Sequence, residues 1–233
     1  MGLAQYLGPR VTGETGRGEI DALDYPTPVL EPDGGYVIER SLVYAIARKE
    51  SAFNPRARSG VGAYGMMQVM PTTAAELADD RSFVRDPERL WVPATNLKLG
   101  QAYVTKMLNM DAFRGDLLRT VASYNAGPGP MLGALRKLGQ DADPLLLIET
   151  IDVPQARDYV EKVMAAYWIY QRLAGAPLNS LDAVAGGASL VPMSLDYVPP
   201  PVAELSIAQA SAPTQPSSPP AGTEASVSAS DQP

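Results

Sequence analysis

The sequence of 233 residues contains no histidine and no cysteine. These absences exclude catalytic dyads and triads built on either residue, zinc sites with those ligands, disulfide scaffolds and thiol chemistry. Any proton transfer must therefore use a carboxylate, a lysine or a tyrosine. The chain has no run of the roughly 18–20 apolar residues that spans a bilayer. Its first residues, MGLAQYLGPR, show no signal peptide, because they have neither a basic nor an apolar region.

Basic side chains are missing from one end of the chain and scarce at the other. Residues 173–233 hold five acidic and no basic side chains, and residues 1–39 hold seven acidic and two basic ones. Residues 40–172 hold 17 basic and 14 acidic side chains, so the formal charge of −7 combines a middle part of +3 with two ends of −5. The overall acidity argues against nucleic acid as a partner, because such binding requires Lys and Arg against phosphates.

Aromatic residues and helical periodicity are concentrated in the same middle part. Twelve of the 16 aromatic residues lie in residues 40–172, and apolar residues there recur at helical spacing, as in Leu97, Gly100 and Val104. No alternating β pattern of useful length occurs. We predict an all-α domain of about seven short helices over residues 36–176. An irregular lead-in over residues 1–35 is expected before it, and an Ala/Ser/Pro-rich, disordered tail over residues 177–233 after it.

Proline and glycine predict where several helices begin and end. Gly127 and Gly139 follow helical segments, as expected for residues that end helices. Pro154 suits the first turn of the longest helix, and Gly175 lies where that helix should end.

Glu50 is the first candidate for chemistry. It lies near the C-terminal end of an apolar helix, and Phe53, Asn54 and Pro55 follow as the helix ends. A carboxyl group beside apolar side chains has a raised pKa, as a general acid near neutral pH requires. The alternative is an ordinary solvated glutamate on a helix surface.

Two further segments have the composition of ligand-binding loops. GVGAYGMMQVMPTTA, residues 60–74, combines glycines that let the backbone approach a ligand with adaptable methionines and the amide of Gln68. ASYNAGPGP, residues 122–130, places Tyr124 and Asn125 before a tight turn, where a hydroxyl can donate to a carboxylate and an amide can bind substrate. The alternatives are a turn packed on methionines and a plain helix–helix connection.

In their order and spacing, these segments resemble the soluble lytic transglycosylases of the Slt type, a branch of the lysozyme-like superfamily. Glu50-Ser51 corresponds to the family's Glu-Ser motif, residues 65–68 to its Gly-Leu-Met-Gln motif with one Leu-to-Met change, and residues 124–127 to its Tyr-Asn-Ala-Gly motif. ETIDVPQARDYVEKVM, residues 149–164, resembles the family's closing helix. The resemblance implies a lysozyme-like fold for the domain.

Some positions depart from the family pattern. Tyr64 stands where an arginine is usual, and Gln155 stands where the family usually has a glutamate that faces the substrate groove. The large helical superhelix of the long family members is absent. These differences affect the expected substrate contacts rather than the expected cleavage chemistry.

The resemblance implies cleavage of the β-1,4 bond between N-acetylmuramic acid and N-acetylglucosamine in peptidoglycan, with formation of a 1,6-anhydro sugar. Glu50 would be the single general acid and base, supported by Ser51, and Tyr124 would hold it in place with Tyr159 packed near the same site. The residues expected to contact the sugars are Ser59, Gln68, Met70, Thr73, Tyr124, Asn125 and Tyr159. No metal or cofactor is implied. The substrate implies the periplasm or cell envelope as the place of action, and endo or exo cleavage is left open.

Three alternatives follow from the same residues. One is a muramidase on the same fold, which uses water where the transglycosylase uses the C6 hydroxyl. Another is a non-catalytic glycan-binding or assembly module, against which the intact Glu50, Gln68 and Tyr124 argue. The last is a specialised transglycosylase that opens the wall for a secretion machine or a phage, with the tail as a tether or as a binding segment for an unknown partner.

Overall fold

The computed structural model describes residues 24–197, in which the chain forms nine α-helices and two short 3-10 helices. No β-strand is present in this range, only isolated bridges such as those of Tyr64 with Arg58 and Val69. The all-α prediction is therefore confirmed, with more helices than the seven expected. The α-helices are α1 Arg40–Ser51, α2 Pro71–Ala78, α3 Ser82–Arg85, α4 Pro93–Leu108, α5 Leu117–Ala126, α6 Pro128–Leu138, α7 Pro144–Glu149, α8 Pro154–Leu173 and α9 Asn179–Ala185. The 3-10 helices are Pro87–Trp91 and Met193–Leu195.

The long helix α8 packs against both α1 and α5, and these three helices form the centre of the core. In α8 the buried residues Tyr159, Val163, Tyr167 and Tyr170 recur at three- and four-residue spacing, so one face of the helix is apolar. Residues 41–47 of α1 are all buried. Burying one large apolar side chain contributes about 1.5–3 kcal/mol to the stability of the fold. Because α1 is held in the core by its buried residues 41–47, the position of its last turn is fixed as well.

The predicted helix ends are confirmed. Helix α5 ends before Gly127 and α6 ends before Gly139, and both glycines have a positive φ, 73° and 90°. Helix α8 begins at Pro154, and Gly175, with φ 69°, follows two residues after its last residue. Glycine adopts this left-handed conformation without the steric cost that a side chain imposes.

The predicted end of the domain at residue 176 is wrong, because the fold continues to the last described residue. Helix α9 lies beyond that point, and Val191 is fully buried. The buried carboxylate of Asp116 accepts a hydrogen bond from the Val191 amide at 2.7 Å, and Tyr167 donates to Asp196 at 2.9 Å. These long-range contacts stabilise a segment whose composition alone suggests disorder. The rest of the predicted tail, residues 198–233, lies outside the described residues.

The segment before α1 has no regular helix or strand from residue 24 to residue 39, yet it packs on the domain. Tyr44 donates to the Pro28 carbonyl at 2.5 Å, and Tyr170 donates to the Pro26 carbonyl at 3.1 Å. The ordered domain therefore begins before the predicted boundary at residue 36. Residues 1–23 of the predicted lead-in lie outside the described residues. Between residues 24 and 197, no helix combines the length and hydropathy needed to cross a membrane.

Candidate active site

Glu50 lies in the last turn of α1, which stops abruptly one residue later. Ala52 and Phe53 both have a positive φ, 50° and 63°. The amide of Ala52 donates to the Arg48 carbonyl at 3.0 Å, and that of Phe53 donates to the Ala47 carbonyl at 3.3 Å, so the helix end is capped. Left-handed backbone costs a residue with a side chain roughly 1–2 kcal/mol. Such strain is concentrated at functional sites. Here the left-handed backbone of Ala52 and Phe53 ends α1 directly after Glu50 and Ser51.

The carboxyl group of Glu50 is half-buried and paired with one tyrosine. Tyr159, which is buried on α8, donates its hydroxyl hydrogen to Oε1 of Glu50 at 2.7 Å. Burial raises the pKa of Glu50, while the Tyr159 hydrogen bond and the charge of Lys49 lower it in part, and the net direction is upward. Burial also raises the pKa of Tyr159 well above 10, so this tyrosine stays protonated and remains a donor. A carboxyl group with a raised pKa suits proton donation near neutral pH.

The segment Gly65–Met66–Met67–Gln68 forms a tight loop beside α1. Gly65 has φ 76°, and a Cβ atom placed on it would lie 2.4 Å from both the Leu90 carbonyl oxygen and the Asn96 amide nitrogen. Only glycine fits this position without a shift of its neighbours. Gln68 also has a positive φ, 49°, and its side-chain amide donates to the Gly65 carbonyl at 2.9 Å. The loop is therefore compact and internally bonded.

Side chains from three helices hold this loop. Ser51 donates to the Met66 carbonyl at 2.8 Å, and Tyr124 donates to the Met67 carbonyl at 2.8 Å. Asn96 on α4, which is fully buried, accepts from the Met67 amide at 2.8 Å and donates to the Tyr64 carbonyl at 2.8 Å. Because Ser51 follows Glu50 directly, it couples the loop to the turn that carries the carboxyl group.

A cavity of about 160 Å³ opens beside the loop. It brings together five of the residues predicted from the sequence, which are Gln68, Met70, Thr73, Tyr124 and Asn125. Tyr103 also lines it, with its ring 5.3 Å from that of Tyr124. Sequence reasoning missed Tyr103, although its place three residues after Gly100 puts it near the buried side of α4. The cavity offers amides, a hydroxyl and the partly exposed Met70, a mixture that suits a sugar.

The predicted contact between Tyr124 and Glu50 is not formed. The Tyr124 hydroxyl donates to the Met67 carbonyl instead, and Tyr159 is the tyrosine that contacts Glu50. Tyr124 is still close enough to Glu50 that the charge of the carboxylate, after burial, raises the pKa of the Tyr124 hydroxyl. Glu50 does not line the cavity itself. The two tyrosines therefore have separate tasks, one at the carboxyl group and the other at the loop.

Ser59 does not line the cavity. Its hydroxyl accepts a hydrogen bond from the Ala63 amide at 2.9 Å, within the turn that leads into the Gly65 loop. In the described part of the chain, no group of three or more acidic side chains is placed to hold a metal ion. The charges near Glu50 belong to an ion-pair chain, in which Asp158 joins Lys49 at 3.4 Å and Lys162 at 2.7 Å.

Comparison with known proteins gives consistent matches. A family model described as Transglycosylase SLT domain matches residues 29–145. The chain is 36% identical over 143 residues to the soluble lytic murein transglycosylase of Salmonella typhimurium, in a match that covers 60% of this chain and 22% of that protein. It is 30% identical over 167 residues to the membrane-bound lytic murein transglycosylase C of Haemophilus ducreyi, covering 64% of this chain and 46% of that protein.

Among solved structures, the chain is similar to the lytic transglycosylase Slt of Pseudomonas aeruginosa. The TM-score is 0.50 and the identity 38%, with 60% of this chain and 22% of that chain covered. That structure is of an inactive mutant in which a glutamate is replaced by glutamine. The present chain thus spans about a fifth of the length of the Salmonella and Pseudomonas proteins and about half of the Haemophilus one.

Proposed function

Since the chain belongs to the transglycosylase SLT domain family, we propose that it is a peptidoglycan lytic transglycosylase with Glu50 as its single acid and base. The substrate is the β-1,4 bond between N-acetylmuramic acid and N-acetylglucosamine, and the place of action is the cell envelope. The observation that carries this proposal is a carboxyl group of raised pKa that is bonded to Tyr159 and whose charge acts on Tyr124, a residue that lines the polar cleft.

In the first step, protonated Glu50 donates its proton to the glycosidic oxygen. The bond from that oxygen to C1 of the muramic residue breaks, and N-acetylglucosamine leaves with a new hydroxyl group. The muramic N-acetyl group stabilises the positive charge that develops at C1. Glu50 is now a carboxylate, and the hydrogen bond that Tyr159 donates at 2.7 Å stabilises this charged form.

In the second step, the Glu50 carboxylate removes the proton from the C6 hydroxyl of the same muramic residue. The C6 oxygen forms a bond to C1 and gives the 1,6-anhydro product. Glu50 regains its proton, and no water is consumed. The attacking hydroxyl belongs to the substrate and is already positioned, which supplies a proximity advantage.

The surroundings of Glu50 favour this route over hydrolysis. A hydrolase of the usual kind needs a second carboxylate near the first. Asp158, the carboxylate that its ion pair with Lys49 brings toward Glu50, is exposed and bound by both Lys49 and Lys162, and among the described residues no acidic side chain shifts the pKa of Glu50. Gln155, where the family usually has a glutamate, is exposed at the start of α8 and carries no charge.

The cleft residues supply recognition rather than proton transfer. Gln68 uses its amide nitrogen to bond Gly65, so its carbonyl oxygen remains available for a sugar N–H or O–H. Met70, with 36% of its surface exposed, offers an apolar face to a sugar ring. Asn125 is exposed at the cleft and matches the N-acetyl groups of the substrate.

Replacing the acid while keeping its shape tests this assignment. Glu50→Gln should lower the cleavage of purified sacculi at least about 10²-fold, because removal of a general acid or base typically has this effect or more. The control is Glu161→Gln on the exposed face of α8, which should leave activity unchanged. Substantial cleavage by folded Glu50→Gln protein would contradict the role given to Glu50.

A further inference from the structure

A second contact between α1 and α8 lies beside the pair formed by Glu50 and Tyr159. Nζ of Lys49, the residue before Glu50, is 3.4 Å from Oδ2 of Asp158, the residue before Tyr159. Two consecutive residues of α1 are thus joined to two consecutive residues of α8, one pair by opposite charges and the other by the 2.7 Å hydrogen bond. The proposed function uses only the second of these contacts.

The ammonium group of Lys49 is held from two sides. Besides Asp158, it meets the face of the Tyr159 ring, whose centroid lies 5.9 Å from Nζ. A cation within about 6 Å of an aromatic centroid is attracted by the ring electrons. The Lys49 side chain is only 29% exposed, so salt and water screen its charge less than that of a free surface lysine. The ammonium is therefore fixed beside the ring whose hydroxyl donates to Glu50.

The fixed charges at this contact leave one positive charge in excess. Asp158 is shared by two cations, Lys49 and Lys162 at 2.7 Å. Its bonds to them, chiefly the one from Lys162, lower the pKa of Asp158, which therefore stays a carboxylate. Gln155, one turn before Tyr159 on α8, is neutral and adds no negative charge. Two ammonium groups thus accompany a single carboxylate on this face of α8.

The other titratable groups that face Glu50 are tyrosines. Tyr159 bonds it from α8, and Tyr124 on α5 is close enough for its pKa to respond to the Glu50 charge. Burial raises the pKa of both hydroxyls well above 10, so both stay neutral near neutral pH. Burial also raises the pKa of Glu50, and Lys49 is the one charged side chain among the described residues that lowers it.

The proposed reaction needs a positive charge at this place. After the first proton transfer Glu50 is a carboxylate in a half-buried site, and burial disfavours that form. The hydrogen bond from Tyr159 stabilises the carboxylate but brings no net charge. An ammonium group that is already fixed nearby supplies the charge without any reorganisation during the reaction.

We propose that Lys49 is a positioning residue of the reaction, whose ammonium group, held by Asp158 and the Tyr159 ring, stabilises the Glu50 carboxylate between the two proton transfers. The inference rests on the proposed function and adds a residue that the proposed mechanism does not include. Lys49 does not line the cleft, so it acts on the substrate only through Glu50.

Two neutral variants, Lys49→Met and Lys49→Gln, test the proposal in the full chain. Both remove the charge, and the glutamine keeps a group that can donate to Asp158. Without the ammonium the acid keeps its proton to higher pH, so the alkaline limb of the kcat/KM profile on glycan strands should move up by roughly half a pH unit at low salt. Lys49→Arg keeps the charge and should leave the limb in place. Lys98→Met, which removes an exposed charge from α4, is the matched control and should also leave it in place.

A direct titration separates failure of this proposal from failure of the proposed function. The side-chain carboxyl carbon of Glu50 is followed by 13C NMR across the pH range in the same proteins, without substrate. We expect the pKa of Glu50 to rise in both neutral variants and to stay at the wild-type value in Lys49→Arg and Lys98→Met.

An unchanged pKa in the neutral variants, an equal rise in Lys49→Arg or Lys98→Met, or a rise that the rate profile does not follow would overturn the role of Lys49. If the wild type cleaves no peptidoglycan, the proposed function fails, and the titration alone decides whether Lys49 stabilises the Glu50 carboxylate.

Discussion

Replacing Asn96 tests whether its hydrogen bonds to the backbone keep residues 65–68, the Gly65 loop, in place. This side chain is fully buried on α4 and makes three hydrogen bonds to backbone groups on the loop and the segment before α4. Besides its bonds to Met67 and Tyr64, it donates to the Leu90 carbonyl at 3.0 Å. Asn96→Ala removes all three hydrogen bonds and puts no polar group in their place.

The magnitude follows from those bonds. The Tyr64 carbonyl keeps a second partner, the Val69 amide at 3.0 Å, whereas the Met67 amide loses its bond to a side chain. At about 1 kcal/mol net for each hydrogen bond, Asn96→Ala lowers the free energy of unfolding by about 3 kcal/mol. For a domain of this size, that corresponds to a fall of roughly 6–12 °C in melting temperature.

The assay combines thermal unfolding with cleavage kinetics below both melting temperatures. Asn109→Ala is the control, because Asn109 is exposed at the end of the same helix and its replacement should change stability by at most about 0.5 kcal/mol. We expect Asn96→Ala to lose kcat/KM as well, since displacement of Gln68 by about 1 Å can cost on the order of 10²-fold. Equal melting temperatures for the two variants, or a destabilised Asn96→Ala with unchanged kcat/KM, would refute the account of the loop.

Three other predictions concern the same site. Tyr159→Phe removes a bond that stabilises charged Glu50, so the pKa of Glu50 rises and the alkaline limb of the kcat/KM profile moves to higher pH; an unmoved limb would argue against this pairing. The pKa of Glu50 is higher in the folded than in the unfolded protein. Ionisation of Glu50 therefore lowers the free energy of unfolding as the pH rises from the ordinary pKa of glutamate through the raised pKa of the folded state. Glu50→Gln should therefore melt no lower than the wild type at pH 7, with any difference vanishing below about pH 4; a lower melting temperature at pH 7 would contradict this. Gly65→Ala should destabilise the protein more than Gly62→Ala, because both have a positive φ, 76° and 86°, but only Gly65 has backbone within 2.4 Å of an added Cβ; equal melting temperatures would show that the close contact relaxes freely.

Helix ends were predictable because their causes are local. Gly127 and Gly139 take left-handed backbone, and Pro154 suits a first turn, whatever the rest of the chain does. The segment after residue 176 was not predictable from composition. Its order depends on single contacts to distant residues, such as the Val191 amide on Asp116.

The motifs located the cleft but not the directions of its hydrogen bonds. Gln68 and Asn125 meet at one cavity, as the sequence suggests. The partner of the Tyr124 hydroxyl depends on how α5 packs on the loop, which spacing along the chain does not reveal. Asn96 went unnoticed, and the available signal was a polar residue four positions before Gly100, on the buried stripe of α4.

The products of cleavage test the central claim most directly. Purified peptidoglycan is digested with wild-type protein and with Glu50→Gln, and the soluble fragments are analysed by mass spectrometry. The account predicts that the wild type releases muropeptides with 1,6-anhydro ends, one water lighter than reducing ends, and that Glu50→Gln releases essentially none. Fragments with reducing ends alone would identify a hydrolase, and equal release by both proteins would show that the chemistry does not depend on Glu50.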